Sequence, residues 1–280
     1  MKLENFSDHI PPWLLSVLMG LISVAVSAGY GVIVEKTIKA RYIIVPGILA
    51  PVLTYTSYRS VWKYKNLLKV ERRKSEQLLQ NILPLPIIEQ LKSSPQEISQ
   101  GFDESTILFT DIVGFAPLAA TLSPAELVRF LNQIFSAFDE LAERYQVEKI
   151  KTIGDAYLVI AGVPVPREDH TAIIAEMALA MHTTVRTMRL PAGQPLQLRS
   201  GIHTGNVVAG IIGKKKFTYD IWGDTVNLAS RMESQGLPGE IQVSPAVYER
   251  LKERYTFRER GKIEVKGKGE MTTYFLIGQR

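Results

Sequence analysis

The chain has 280 residues, a formal net charge of +5 and no cysteine. The missing thiols exclude disulfides, thiolate catalysis and cysteine-based zinc sites, and the four histidines, His9, His170, His182 and His203, lack metal-ligand spacing. The positive excess is local: from Arg59 to Lys74 seven basic residues stand against one acid, Glu71. A basic run directly after an apolar stretch fits an anionic lipid surface and argues against nucleic-acid binding, which spreads cations over a folded face.

In chain order, Trp13 to Val34 carries no charge and is long enough for a helix that crosses a bilayer. A shorter uncharged run, Tyr42 to Tyr58, contains Pro46 and Pro51; Tyr42, Tyr55, Tyr58 and Trp62 supply interfacial aromatics. The spacing predicts two spans, about 13–34 and 42–58, with both chain ends on the cytoplasmic side of a plasma membrane. Lys36, Lys39 and Arg41 between the spans weaken that charge asymmetry without reversing it. Two other readings are a cleaved leader ending near Val26-Ser27-Ala28 and a buried helix of a soluble protein. The mixed-charge start (Lys2, Glu4, Asp8) and the overlong apolar core speak against the first. From Lys63 to Gln80 a polar stretch with Leu68, Leu78 and Ile82 near heptad spacing predicts a linking helix that pairs with its copy. Pro84 and Pro86 break it, Ser93-Ser94-Pro95 reads as a loop, and the domain boundary falls near Gln100. The expected organisation is therefore an anchor over 1–62, a link over 63–99 and a catalytic domain over 100–280.

The remaining chain alternates strand and helix signals. Ser105 to Thr110 is a short apolar strand, and Ser123-Pro124-Ala125-Glu126 is a capping box with proline at the first helical position. Leu127, Phe130, Leu131, Ile134, Phe135, Phe138 and Leu141 follow at helical period. Strands over Val147–Thr152 and Ala156–Val163 flank a turn at Gly154-Asp155, and a second helix spans about Asp169 to Met188. Strands recur over Leu196–Ile212 and Phe217–Ile221, before a helix from Thr225 to Ser234. This is an α+β, ferredoxin-like βαββαβ plan with helices on one face of a mainly antiparallel sheet. A short strand at Ile241-Gln242-Val243, a helix to Arg254 and a last hairpin complete it.

Asp111, in FTDIVGF, and Asp155, in KTIGDAYLV, each sit at the end of a strand. On neighbouring strands both carboxylates point at one spot, and a hard divalent ion takes a few carboxylate oxygens plus substrate phosphate oxygens. Singly, each is a turn aspartate of an ordinary kind. Together with YDIWGDTVNLASR, in this order and spacing, the motifs resemble the class III adenylyl and guanylyl cyclase catalytic domain from about Ile82 to the C-terminus. The resemblance implies that Asp111, the Ile112 carbonyl and Asp155 hold two Mg2+ or Mn2+ ions per active site. It also implies that Arg231 neutralises charge on the α-phosphate and that Asn227, one helical turn earlier, positions the ribose.

Lys151 and Asp220 match the pair that reads the purine in such cyclases, the lysine donating to adenine N1 and the aspartate accepting from the exocyclic amine. Guanylyl members typically carry glutamate and cysteine there, so ATP is the expected substrate and adenylate cyclase the expected activity. VKGKGE resembles the segment with a phosphate-binding lysine; Lys266 is chosen and Lys268 stays open. GIHTGNVVAGIIG lacks the GxxxxGK[ST] of a Walker loop, and its glycines read as hairpin geometry. His203 reads as a packed histidine and Lys214 to Lys216 as a solvated turn. The resemblance further implies a homodimer in which the metal aspartates and the Arg231–Asn227 pair of one site come from opposite chains. The alternatives are a guanylyl or mixed-specificity cyclase, a silent nucleotide-binding module, and a diguanylate cyclase, whose Gly-Gly-acid-acid-Phe loop is replaced here by Ile153-Gly154-Asp155-Ala156.

Overall fold

The computed structural model describes residues 12–35, 40–93, 98–189, 193–213 and 218–280. It divides into two compact units, 1–82 and 83–280.

In the first unit, helices α1 (Pro12–Glu35) and α2 (Ala40–Gln80) pack against each other. The 41 residues of α2 run through Pro46 and Pro51, so the second apolar run and the linking stretch form one helix. A proline inside a helix removes one backbone donor while the bonds above and below it can still form. Large apolar side chains stand exposed, among them Leu21, Ile22 and Val26 on α1 and Leu49, Val52 and Leu53 on α2. The expected spans at 13–34 and 42–58 are covered in part, since the side chains of 12–16 and 30–48 lie outside the described residues. Among the described residues no helix is long and apolar enough to cross a membrane.

The second unit opens with α3 (Leu85–Ser93), where Ile87 and Ile88 are buried. Then come β1 (Ser99–Ile112), α4 (Phe115–Ala119), α5 (Pro124–Tyr145), β2 (Glu148–Ile153), β3 (Ala156–Ala161) and α6 (His170–Val185). After them follow β4 (Leu198–Ile212), β5 (Thr218–Trp222), α7 (Asp224–Ser234), β6 (Ile241–Val243), α8 (Pro245–Leu251), β7 (Tyr255–Val265) and β8 (Gly269–Gln279). The capping box of α5 forms with both bonds, Ser123 N donating to Glu126 Oε2 at 3.0 Å and Glu126 N to Ser123 Oγ at 3.4 Å. Such a cap is worth about 1 kcal/mol.

The strands make one mixed sheet in the order β2-β3-β1-β4-β6-β8-β7, with β5 pairing β4. Its first four strands with α5 and α6 give the ferredoxin-like arrangement; β4 pairs β6 in parallel. One face carries the main core, where Leu108, Ile112, Leu198 and Ile202 meet Ile134 and Phe138 of α5, Met177 and Met181 of α6, and Val247 and Leu251 of α8.

Strand side chains alternate between faces, and the expectation that all helices share one face is corrected by α7. This helix lies on the other face, against Gly201 of β4. A Cβ at Gly201 would stand 1.9 Å from the Glu233 backbone nitrogen, so the missing side chain lets helix and strand touch backbone to backbone. β1 is also longer than expected: Ser99–Phe102 pairs with residues 207–210 of β4, and a bulge between Phe102 and Ser105 separates this polar stretch from the apolar one.

Candidate active site

Three carboxylates and one guanidinium meet where β1 ends. Asp111 lies directly opposite Arg199 in the β1–β4 register, and Arg199 Nη2 donates to Asp111 Oδ2 at 2.8 Å. The same guanidinium donates through Nε to Glu233 Oε1 of α7 at 2.7 Å. Asp155 sits in the turn between β2 and β3, which Gly154 closes with a φ of +63°. Its carboxyl is near enough to share a hydrogen bond with Asp111. Burial, then that bond and the Asp111 charge, push the pKa of Asp155 up to about 6. Burial likewise raises Glu233, with Arg199 opposing the shift.

On the reverse face a polar layer fixes the strands at this level. Thr110 Oγ1 and Ser200 Oγ lie 3.0 Å apart, and His182 Nε2 is 2.9 Å from the same Ser200 oxygen. Burial lowers the pKa of His182 to about 4, which keeps this α6 ring neutral against the sheet.

The two aspartates offer hard oxygen donors, the chemistry that Mg2+ and Mn2+ select. Ile112 turns its side chain into the core, 2% exposed, leaving its backbone as the strand-end group beside them. Among the described residues no group of three or more His, Asp or Glu side chains is placed to hold a metal ion. An ion at Asp111 and Asp155 would complete its shell with backbone, nucleotide and water oxygens. The raised pKa of Asp155 beside the Asp111 charge marks a place where a nearby positive charge is favourable.

The remaining expected residues form a second group. Lys151 of β2 and Asp220 of β5 are joined by a short ion pair, half-buried, with Asp220 also accepting from the Ile221 backbone N–H at 2.9 Å. Asn227 and Arg231 stand exposed on one face of α7 while Leu228 and Met232 face inward. Thr225 holds the start of that helix by donating to the Asn206 carbonyl at 2.6 Å. Lys266 is exposed in the β7–β8 turn, whereas Lys268 pairs with Asp224 at 2.7 Å.

Among the described residues, no hydrogen bond or ion pair joins Asn227 or Arg231 to Asp111 or Asp155 within the chain. His203 is packed, its Nδ1 lying 2.7 Å from Ser244 Oγ and burial lowering its pKa to about 4. The glycines of the 201–213 run lie mostly along β4, where Gly201 makes close backbone contact; Gly213, with a φ of +99°, is at the turn. Lys214 to Lys216 lie outside the described residues. Arg199 and Glu233 are the members that motif reading misses.

A family model described as the adenylate and guanylate cyclase catalytic domain matches residues 97–278. An adenylate cyclase of Mycobacterium tuberculosis is 43% identical over 271 residues, 96% of this chain and 57% of that protein. The guanylate cyclase soluble subunit beta-2 of Rattus norvegicus is 46% identical over 214 residues, 76% of this chain and 31% of that one. The chain thus spans little more than half the length of the first of these relatives.

Among solved structures, the adenylyl cyclase CyaB from P. aeruginosa superposes with a TM-score of 0.62 at 30% identity, covering 65% of this chain and 97% of that one. The catalytic core of a rhodopsin-guanylyl cyclase with converted specificity, in complex with ATPαS, gives 0.62 at 34% identity, covering 64% and 98%. With the acid pair, the Lys151–Asp220 pair and the exposed Asn227–Arg231 face on the same α+β sheet, the chain belongs to the adenylate and guanylate cyclase catalytic domain family.

Proposed function

We propose that this protein is a membrane-anchored adenylate cyclase that closes ATP into 3′,5′-cyclic AMP and pyrophosphate, as a homodimer whose sites each draw on both chains. The pairing of Lys151 with Asp220 carries the choice of base. The ammonium offers a donor to adenine N1, and the carboxylate accepts from the exocyclic amine. Guanine presents a donor at N1 and an acceptor at its 6-oxygen, so both contacts would be mismatched and buried polar groups left unpaired. The mycobacterial relatives over 96% of the chain support the same choice. The identity to guanylate cyclase subunits supports a guanylate or mixed-specificity cyclase as second reading.

In this reading Asp111, Asp155 and the Ile112 carbonyl hold the metal. When bound, Mg2+ or Mn2+ supplies the positive charge that favours a deprotonated ribose 3′-oxygen and offsets the triphosphate. Asn227 orients the ribose. The 3′-oxygen forms its bond to the α-phosphorus as the bond to the bridging oxygen of the β-phosphate breaks, and the hydroxyl proton passes to solvent. Arg231, a permanently charged fork, meets the negative charge that builds on the α-phosphate, and Lys266 meets the departing pyrophosphate.

Among the described residues neither Asn227 nor Arg231 makes a hydrogen bond or ion pair with Asp111 or Asp155 of the same chain, which supports two chains per site. The uncharged run 13–34 and the basic run after the second apolar stretch support a plasma-membrane anchor with the catalytic domain on the cytoplasmic side. Retention of the protein in membranes after an alkaline wash checks the anchor, and release into the supernatant overturns it.

The deciding experiment incubates the purified protein with ATP or GTP and each metal, with product identified by mass spectrometry. Cyclic AMP is expected, with GTP turned over at least about tenfold more slowly; equal turnover establishes the second reading instead. Asp111→Ala and Arg231→Ala proteins should each be inactive and regain partial activity when mixed, and no recovery overturns sites shared between chains.

A further inference from the structure

Arg231 is useful only where its guanidinium meets the phosphate, so whatever fixes α7 governs the reaction. The β7–β8 hairpin grips that helix along its length. At the start of α7, Lys268 Nζ pairs with Asp224 Oδ2 at 2.7 Å. On the inner face Leu228 and Met232 pack with Val265. At the far end Gln235, the residue that ends the helix, donates through Nε2 to the Glu264 carbonyl at 2.9 Å. Arg260 of β7 donates through Nη1 to the Gln235 carbonyl and to Gln242 Oε1. This grip lies one turn from the catalytic arginine, since Gln235 N donates to the Arg231 carbonyl at 3.1 Å.

Arg260 has no carboxylate partner among the described residues. Its guanidinium lies 5.8 Å from the Phe275 ring, and burial holds its pKa below the ordinary arginine range. Its partners are the carbonyl end of a helix, where the macrodipole favours a cation, and a fully buried amide. That amide, Gln242, donates to Met232 Sδ at 3.8 Å, and Met232 directly follows Arg231. Both contacts of Arg260 therefore lead to the turn of α7 that presents Arg231. A half-buried cation satisfied by a helix end and a side-chain amide fixes geometry more than it adds charge pairing.

We infer that Arg260 is a positioning residue for the arginine side of the active site: through Gln235 and Gln242 it sets the position and rotation of α7, and so aims Arg231 and Asn227 at substrate. The inference rests on the shared-site reading above. Arg231 acts mainly as charge builds in the transition state, so a misaimed helix lowers kcat more than it raises KM.

The test uses the full chain with Arg260→Met, which keeps an apolar stem without the donors, and Arg260→Lys, which keeps a charge and one donor group. Arg260→Met is expected to lower kcat about 10- to 100-fold with KM for ATP within about threefold. Arg260→Lys is expected to recover part of that loss. Mixed dimers then assign the defect to one side of the site. Arg260→Met mixed with Asp111→Ala should regain activity, and mixed with Arg231→Ala should not.

Recovery with Arg231→Ala, or wild-type kcat in a folded Arg260→Met protein, overturns the inference. Failure of the Asp111→Ala and Arg231→Ala pair to complement each other sinks the shared-site reading instead. The kcat-against-KM split then decides alone, and a rise in KM with unchanged kcat overturns the role. If Arg260→Met does not fold, Arg260→Lys and Gln242→Leu carry the same measurements, and wild-type kcat in both overturns it.

Discussion

In a single chain Asp111 already has a cation, because Arg199 reaches it from the neighbouring strand and ties it to Glu233. The acid pair is therefore not an open bowl of negative charge; an ion bound there would share Asp111 with a guanidinium that is itself held by Glu233 of α7. At the purine end the logic is one of matched donors and acceptors, and it makes a specificity prediction. Replacing Lys151 by Glu and Asp220 by Cys together should move the ratio of kcat/KM for ATP over GTP toward GTP by at least about 100-fold, while each single change lowers ATP turnover with little gain for GTP. Steady-state kinetics with both nucleotides checks this. Lys151, Asp220, Asn227, Arg231 and the two aspartates were legible because each sits inside a contiguous motif. Arg199 and Glu233 were not, since their meeting depends on strand register and on a helix crossing between positions 88 residues apart and 34 residues apart.

At the level of elements, α7 is the part whose placement matters most. It carries Asn227 and Arg231 outward, Glu233 inward toward Arg199, and it rests on β4 where Gly201 has no side chain to hold it off. Gly201→Ala should therefore force the helix away from the strand, lowering stability by about 1–3 kcal/mol, as overpacking does, and reducing activity by more than the lost stability explains. Denaturant unfolding and turnover measured on the same sample separate the two effects. The capping box and the apolar period of α5 could be read from the chain, because local hydrogen bonds and burial patterns set them. The side of the sheet that α7 takes could not, since a close approach at one glycine leaves no periodic trace. The extension of β1 to Ser99 was hidden for a similar reason: its first residues are polar and exposed, and only pairing with β4 makes them a strand. The expected span over 42–58 already ran through Pro46 and Pro51, and α2 continues past both.

For the molecule as a whole, the reading of two chains per site makes association part of catalysis. The 83–280 unit prepared alone should cyclise ATP with a specific activity that falls steeply on dilution, while the full chain, if anchored in a membrane as proposed, should hold its activity to far lower bulk concentration, since confinement raises the effective concentration of its partner. Activity measured across a dilution series for both forms checks this; equal curves would mean that the first 82 residues contribute nothing to pairing. Sites shared between two chains, as proposed, would also have a genetic consequence. A subunit that lacks only Asp111, or only Arg231, would still leave a wild-type mate one working centre. A subunit that lacks both would spoil each centre it enters, so expression of that doubly defective allele would lower the activity of the normal copy by poisoning every mixed pair.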